Sequence, residues 1–169
     1  DYFKRQDVDI KIISGDDPVT VSAIARRCHL LNYEHYIDVS SLSDEQIKEA
    51  IEKYTIFGRV SPKQKQLMVN ALQENNHTVA MTGDGVNDVL ALKAADCSIA
   101  MASGSDAAKS ASHIVLLKNN FNAMPHIVNE GRRVINNITA SASMYLIKTI
   151  FSVVLSIGMI LFGHGYPFK

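Results

Sequence analysis

Up to about residue 121, short apolar runs alternate with segments whose apolar residues recur at helical spacing. The apolar runs predict strands, and the run at 78–81 is expected to be buried. Repeated strand–helix units indicate a parallel sheet joined by right-handed crossovers, so the predicted fold class is α/β. The predicted strands are residues 9–13, 35–39, 55–57, 78–81, 98–101 and 113–117, and the predicted helices are residues 18–30, 43–53, a segment following Ser61, and 87–95.

Polar residues mark where three of these helices begin. Asp17 followed by Pro18 predicts an N-cap and a proline in the first helical position. The segments 43–46 and 61–64 each place a serine three residues before a glutamine, which predicts a capping box.

The pattern changes after Arg133, because Lys148 is then the only charged residue before the terminal Lys169. Residues 140–163 are mostly apolar, and a helix of ~20 such residues crosses a bilayer. Arg132 precedes this stretch together with Arg133, so the positive-inside rule assigns that end to the cytosol. The alternative is a buried core helix, which would normally carry a polar face.

These patterns divide the chain into four segments. We predict a partial α/β domain at 1–121, a stalk helix at 122–139, a transmembrane helix at 140–163, and the start of an extracytosolic loop at 164–169. No initiator methionine opens the chain, so we expect it to be a piece of a longer protein.

The amino-acid composition limits the kinds of ligand and cofactor that the chain is expected to bind. The 17 basic and 17 acidic side chains balance, so the chain has no basic field suited to nucleic acid. Hydrophobic residues make up 47% of the chain, enough for one real core. Cys28 and Cys97 lack metal-site spacing and lie in apolar surroundings, so we expect reduced, buried thiols.

Three sets of polar residues lie at the carboxyl ends of predicted strands or at the start of the following helix. Ligands of parallel sheets bind beyond the carboxyl ends of the strands. The three sets are Ser14-Gly15-Asp16, Lys65, and the run Thr82–Asp88. A hydroxyl suits a phosphoryl oxygen, a lysine neutralises its charge, and a glycine-rich loop with carboxylates can hold Mg²⁺. Together they predict phosphoryl transfer. Ser-Gly-Asp alone is also a common turn, and Lys65 alone a solvated helix residue, but the run at 82–88 is hard to explain as a turn.

Ser14, Lys65 and the run Gly83–Asp88 resemble motifs II, III and IV of the haloacid dehalogenase superfamily. The segments 59–65, 90–101 and 130–138 narrow the resemblance to the P-type (E1-E2) cation-transporting ATPases. It implies the C-terminal part of the phosphorylation domain followed by the fifth membrane helix. The implied fold is a Rossmann-like parallel sheet of the haloacid dehalogenase type, incomplete because its first strand is missing, with a long helix running into a transmembrane segment.

The resemblance implies a role for each matched residue. Lys65, Asp84 and Asp88 are the implied catalytic residues, and Asp84 is also the implied Mg²⁺ ligand, with Asp88 as a second candidate. The implied nucleotide- and phosphate-binding residues are Ser14, Gly15, Asp16, Arg59, Lys65 and Asn87. The serine at position 14 replaces the usual threonine and keeps its hydroxyl.

The nucleophile that this family carries in an Asp-Lys-Thr-Gly motif is absent from the sequence. We therefore expect the chain alone to be unable to form the phosphoenzyme. The implied cofactors are Mg²⁺ and ATP. The implied partners are the transported cation, membrane lipid, and the nucleotide-binding and actuator domains of the parent pump. The implied location is a membrane, the plasma (inner) membrane if the source is bacterial, with this domain on the cytosolic face.

The predicted membrane helix contains no acidic residue, so the sequence does not identify the transported cation. Thr149 and Ser152 could face an ion path or only a neighbouring helix. Lys148 could be functional, or could extend its amine to the cytosolic interface.

Three functions share these residues. The first is an ATP-driven cation pump that cycles through an aspartyl phosphate. The second is a membrane-tethered phosphatase of the same superfamily, and the third is a non-catalytic Mg²⁺-binding module. The phosphatase gives no reason for the segment 130–138 or for the long apolar span, and the sequence preceding Asp1 would discriminate among the three.

Overall fold

Short parallel strands form the frame of the fold in the computed structural model, which describes residues 2–118 and 120–162. The chain divides into two units, with the boundary between Phe121 and Asn122. The strands are β1 (Ile12–Ile13), β2 (Tyr36–Asp38), β3 (Ile56–Gly58), β4 (Ala80–Gly83), β5 (Cys97–Met101) and β6 (Ile114–Leu116). The α-helices are α1 (Pro18–Arg27), α2 (Asp44–Lys53), α3 (Pro62–Glu74), α4 (Val89–Ala94), α5 (Asp106–Ala111) and α6 (Met124–Phe162).

The strands pair in two sheets, in the orders β1-β3-β2 and β4-β5-β6, and every pairing is parallel. The predicted α/β class with parallel strands is therefore confirmed, and the described strands form two sheets where a single sheet was expected. Among the described residues, β1 and β4 are each the end strand of their sheet. The carboxyl ends of the parallel strands carry the loops in which the candidate site lies.

The helix starts follow the capping rules. An Asp17 carboxylate oxygen accepts hydrogen bonds from the amides of Val19 and Thr20 at 3.2 and 3.4 Å. Ser43 and Ser61 both form complete capping boxes with the glutamine three residues later, which confirms those predictions. The N-terminal ends of α2 and α3 are thus fixed by hydrogen bonds within the first turn of each helix.

A core of fully buried side chains lies between β3 and the helices α2 and α3, and it includes Phe57, Ile47, Ile51 and Met68. On its other side, α3 packs against α4, with Val69 and Ala91 buried between them. Helix α3 thereby links the parts of the domain that contain the two sheets.

Three expectations about burial and structure were wrong or incomplete. Strand β4 is not buried: Ala80 and Thr82 are exposed, because β4 is the end strand of its sheet. Cys28 is exposed because it is the C-cap residue of α1, while Cys97 is half-buried. Helix α5 has no counterpart in the predicted elements, although Ser105 caps it by accepting a hydrogen bond from the Ala108 amide at 3.2 Å.

Helix α6 forms the second unit. It runs for 39 residues and contains an 18-residue window of mean hydropathy 2.0, none of which is buried. By length and composition it could cross a membrane. The division into stalk (122–139) and membrane segment (140–163) stays a prediction, and the predicted loop at 164–169 lies outside the described residues.

Candidate phosphoryl-transfer site

A lysine–aspartate ion pair joins α3 to the loop after β4. Lys65 lies in the first turns of α3, where its amide donates to the Ser61 carbonyl at 3.0 Å. Its Nζ contacts Asp88 Oδ1 at 2.7 Å, and the two side chains are only 12% and 10% exposed. Asp88 ends a 3₁₀ turn, Val86–Asp88, that is separated from the end of β4 by two residues. The pair is therefore both short and mostly shielded from water.

The second oxygen of Asp88 closes the loop on itself. Asp88 Oδ2 accepts hydrogen bonds from the amides of Asp84 at 3.3 Å and Gly85 at 3.1 Å. Burial raises the pKa of this carboxyl, but the Lys65 ammonium and the two loop amides outweigh burial, so its pKa lies below the usual value. A Cβ on Gly83 would lie 2.6 Å from the Asp88 Cβ, so this position requires glycine.

Asp84 differs from Asp88, because its carboxylate has no hydrogen-bond or ion-pair partner among the described residues. The residue is exposed, and its backbone carbonyl accepts a hydrogen bond from the Ser105 amide at 2.7 Å. Asn87 is also exposed on this loop.

The Asp84 carboxylate is better suited than that of Asp88 to bind Mg²⁺. Mg²⁺ is usually held by one or two carboxylates and keeps waters and phosphate oxygens as its other ligands. Asp84 offers an open carboxylate, whereas both oxygens of Asp88 already accept hydrogen bonds. In the described part of the chain, no three or more His, Cys, Asp or Glu side chains gather as a metal site.

A second group of site residues lies at the ends of β1 and β3. Ser14 Oγ accepts a hydrogen bond from the Asp16 amide at 3.1 Å and donates to Asp16 Oδ2 at 3.2 Å. The Asp16 carbonyl accepts from the Arg59 amide at 2.8 Å, and the Ser14 carbonyl accepts from the Val60 amide at 3.0 Å. Gly15 is exposed at the turn. The Ser14-Gly15-Asp16 loop is thus fastened to the residues that follow β3.

Arg59 connects two carboxylates across this edge. Its Nη2 donates to Asp17 Oδ1 at 3.1 Å, and its Nη1 lies 3.5 Å from Asp38 Oδ2. Hydrogen bonds from the Ser40 side chain and amide lower the pKa of Asp38. Arg59 has a φ of 56°, a left-handed conformation that is uncommon for residues other than glycine.

Sequence reasoning did not find Asp17 and Asp38 as partners of Arg59. The available signal was that both are acidic residues beside the carboxyl end of a predicted strand. The described contacts bring the predicted residues together in two groups, one around Asp88 and one around Arg59. Residues 59–61 connect these groups, because Ser61 caps the helix that carries Lys65.

Thr149 and Ser152 lie on α6, in the other unit. The hydroxyl of Thr149 donates to the Tyr145 carbonyl at 2.9 Å, and that of Ser152 donates to the Lys148 carbonyl at 3.0 Å. Each hydroxyl donor is therefore used within the helix, and the oxygen lone pairs remain as acceptors.

The structure thus contains a glycine-rich acidic loop after a parallel strand, bonded to a lysine on a neighbouring helix, which is the arrangement for which the sequence motifs predict phosphoryl transfer. The chain belongs to the haloacid dehalogenase-like hydrolases, and the match to this family covers residues 1–96. Among curated relatives, it is 52% identical over 157 residues to the probable cation-transporting ATPase exp7 of Streptococcus pneumoniae. It is 51% identical over 159 residues to the calcium-transporting ATPase CtpE of Mycobacterium tuberculosis. Each alignment covers 93% of this chain and 20% of the relative, so the chain spans about a fifth of these proteins.

Solved structures agree with the relatives. A zinc-transporting PIB-type ATPase in its E2.Pi state aligns with a TM-score of 0.68 and 28% identity, over 88% of this chain and 21% of that one. The catalytic domain CopB-B of a CPx-ATPase aligns with a TM-score of 0.59 and 26% identity, over 75% of this chain and 41% of that one. These matches confirm the resemblance to P-type ATPases and the fold class expected from it.

Proposed function

We propose that this chain is part of an ATP-driven cation pump that cycles through an aspartyl phosphate. The chain would contribute the loops that bind phosphate and Mg²⁺. The observation that carries the proposal is the Lys65–Asp88 pair, which closes the loop and leaves the Asp84 carboxylate open. The relatives named as cation- and calcium-transporting ATPases support the same function.

The residues divide the work of phosphoryl transfer, which depends on positioning and charge stabilisation. Asp88 takes one hydrogen bond from the Lys65 ammonium, so two of that lysine's three donors are left for phosphoryl oxygens. Asp84 would hold Mg²⁺, which neutralises phosphate charge when it is bound. The amide and carboxylate of Asp88 keep the loop in shape, and Asn87 would lie beside the phosphate.

The other group would contact the nucleotide. The Gly15 backbone amide is a donor suited to phosphate oxygens, and the Ser14 hydroxyl and the Asp16 amide would exchange their hydrogen bonds within the loop for phosphate oxygens. The two terminal nitrogens of the Arg59 guanidinium contact Asp17 and Asp38. The N–H donors that these contacts leave free would reach ATP.

A strand from elsewhere in the protein would bring the nucleophile. The Ile12 and Ser14 amides donate to the Thr55 and Phe57 carbonyls. The backbone amide and carbonyl of Ile13, which lies between them, therefore point away from β3. Strand β4 is likewise the end strand of its sheet among the described residues. We infer that a parallel strand pairs at these edges and carries the nucleophilic aspartate.

Helix α6 would cross the membrane with Arg132 and Arg133 at the cytosolic end, so that the α/β domain lies in the cytosol. Thr149, Ser152 and Ser156 share one face, because their spacings correspond to whole helical turns. With their hydroxyl hydrogens bonded within the helix, these oxygens could ligate a cation. Calcium is the first cation to test, since several relatives are named calcium-transporting ATPases.

The test is phosphorylation of the full-length protein, reconstituted in lipid vesicles, with labelled ATP and a panel of divalent cations. We expect a cation-dependent label that hydroxylamine removes, as an acyl phosphate requires. Asp84→Asn should reduce the label at least ~10-fold by removing a charged ligand, while Ser14→Ala should cost less because backbone donors remain. Asp44→Asn, on the exposed first turn of α2, is the matched control.

Each other result points to a different function. Cation-independent hydrolysis of small phosphomonoesters would favour a phosphatase. Mg²⁺ binding without any turnover would favour a non-catalytic module. An Asp84→Asn variant with full labelling would refute the assignment of the magnesium loop.

A further inference from the structure

Gly104, in the loop between β5 and α5, packs directly against the main chain of Asp84. A Cβ at this position would lie 2.8 Å from the Asp84 carbonyl oxygen and 3.1 Å from its Cα. It would also lie 3.0 Å from the Met101 carbonyl oxygen. These distances are shorter than the ~3.5 Å at which non-bonded atoms pack, and all three atoms belong to the backbone, which yields less readily than a side chain.

The segment that carries Gly104 is itself fixed. The Gly104 amide donates to the Met101 carbonyl at 3.0 Å, which ties the turn to the end of β5. The Ser105 hydroxyl caps α5, and the Ser105 amide donates to the Asp84 carbonyl at 2.7 Å. Gly104 and Ser105 therefore meet Asp84 as one rigid contact that combines close packing with a short hydrogen bond.

The backbone of Asp84 is held by hydrogen bonds at both its amide and its carbonyl. Its amide donates to Asp88 Oδ2 at 3.3 Å, and its carbonyl accepts from Ser105 at 2.7 Å. Its carboxylate, in contrast, has no partner among the residues that the structure describes. A backbone fixed at both ends with a free carboxylate is the arrangement expected of a pre-organised ligand, for which a misplacement of ~1 Å can cost ~100-fold in rate.

We propose that Gly104 is a positioning residue: the absence of a side chain there lets Ser105 hold the Asp84 backbone so that its carboxylate meets a divalent cation. The inference rests on the proposed role of Asp84 as a metal ligand. Adding a methyl group at position 104 must push the loop and α5 apart, which lengthens the Ser105–Asp84 hydrogen bond and turns the carboxylate away from the cation.

The experiment uses the full-length protein with the substitution Gly104→Ala. Binding of Mn²⁺, a paramagnetic substitute for Mg²⁺, is measured by electron paramagnetic resonance in the presence of inorganic phosphate and without nucleotide. We expect Gly104→Ala to weaken Mn²⁺ binding ~10-fold, which corresponds to ~1.4 kcal/mol. The Mg²⁺ concentration for half-maximal phosphoenzyme formation should rise by the same factor, with the maximum at saturating Mg²⁺ retained.

Two controls separate positioning from general damage. Gly131→Ala adds the same methyl group where no atom beyond the neighbouring backbone of its own helix lies within 4 Å, and it should leave Mn²⁺ binding unchanged. Ser105→Pro replaces the N–H that donates to the Asp84 carbonyl with a ring carbon, so it breaks this hydrogen bond and crowds the carbonyl without a side chain at 104; proline suits the observed φ of −62°. Compared with Ser105→Ala, which loses only the cap, it should also weaken Mn²⁺ binding.

Asp84→Asn distinguishes failure of this inference from failure of the proposed function. If Asp84→Asn loses Mn²⁺ affinity while Gly104→Ala and Ser105→Pro both keep it, the positioning role is wrong. If Asp84→Asn itself binds Mn²⁺ like the wild type, Asp84 is not the ligand and both proposals fall. If Gly104→Ala does not fold, Ser105→Pro alone decides the question.

Discussion

Two groups of ion pairs, one around Lys65 and one around Arg59, differ in how far they are buried. Lys65 and Asp88 are 12% and 10% exposed, whereas Arg59 is 56% exposed and its partners Asp17 and Asp38 are 44% and 38% exposed. The buried pair fixes the shape of a loop. The exposed pairs orient a side chain that solvent, and therefore a ligand, can still reach.

The physical difference is the desolvation that each charge has undergone. A buried charge that loses its partner is left without water to replace it, so breaking such a pair is costly. An exposed pair contributes little to stability because water and salt screen it. We therefore expect changes in the Lys65–Asp88 pair to act on folding and catalysis together, and changes around Arg59 to act on ligand binding alone.

The largest effect is expected for Lys65→Met, which keeps the aliphatic stem and removes the ammonium. Asp88 would then be a buried carboxylate without its cation, and the free energy of unfolding should fall by ~3 kcal/mol. Urea unfolding of the full-length protein in detergent, followed by proteolysis of the α/β domain, measures it. Lys48→Met is the matched control, because Lys48 pairs with Glu74 on the surface and its loss should have little effect. Equal destabilisation of both variants would contradict the comparison.

The next effect is the pH dependence of the same pair. The pKa of Asp88 is depressed in the folded protein, so the carboxylate stabilises the fold above its unfolded-state value, near 3.8. That stability is lost as the pH falls through the lower, folded-state pKa. Asp88→Asn should therefore be less stable than the wild type at pH 7, and the difference should shrink as the pH falls below about 4.

Unfolding midpoints of the wild type and Asp88→Asn from pH 7 to pH 3 test this linkage. Asp44→Asn serves as the control, because Asp44 is exposed on the first turn of α2. A difference between wild type and Asp88→Asn that stayed constant with pH would show that the ion pair adds no stability through ionisation.

The third effect is on the nucleotide. Arg59→Ala should raise the ATP concentration for half-maximal phosphorylation ~10-fold, by analogy with the loss of one charge-assisted contact. The unfolding midpoint should change little, since the guanidinium is exposed. Arg27→Ala, an exposed arginine at the end of α1, is the control. If Arg59→Ala instead lowered the unfolding midpoint and left the ATP dependence unchanged, Arg59 would be a structural residue.

The sequence predicted what depends on near neighbours. Capping boxes at Ser43 and Ser61 need only residues three positions apart, and both are present. The exposure of β4 was missed because it depends on which strand lies beside it, which no local pattern contains.

The same distinction applies to the site. Ser14, Lys65 and the acidic loop could be predicted as candidate site residues because their residue types match a known pattern. Asp17 was not found as a partner of Arg59, because the two residues are 42 positions apart and meet only after folding. Gly104 was also missed, since a glycine before a helix is an ordinary turn residue until its distance to Asp84 is known.

The smallest effect is expected at Asp38, and it tests whether the exposed cluster positions Arg59. One Asp38 oxygen accepts hydrogen bonds from the Ser40 amide at 2.9 Å and hydroxyl at 2.6 Å, which leaves the other for Arg59. Asp38→Asn removes the charge opposite the guanidinium but keeps a similar shape. The ATP concentration for half-maximal phosphorylation should therefore rise ~2- to 3-fold, less than for Arg59→Ala.

The double variant Arg59→Ala/Asp38→Asn decides how the two residues act. If Asp38 works by positioning Arg59, the double variant should bind ATP no more weakly than Arg59→Ala alone, because nothing remains to position. Additive losses would mean that Asp38 contacts the nucleotide by itself. A tighter ATP affinity in Asp38→Asn would mean that its charge mainly repels the phosphates, and the exposed cluster would then restrain Arg59 rather than present it.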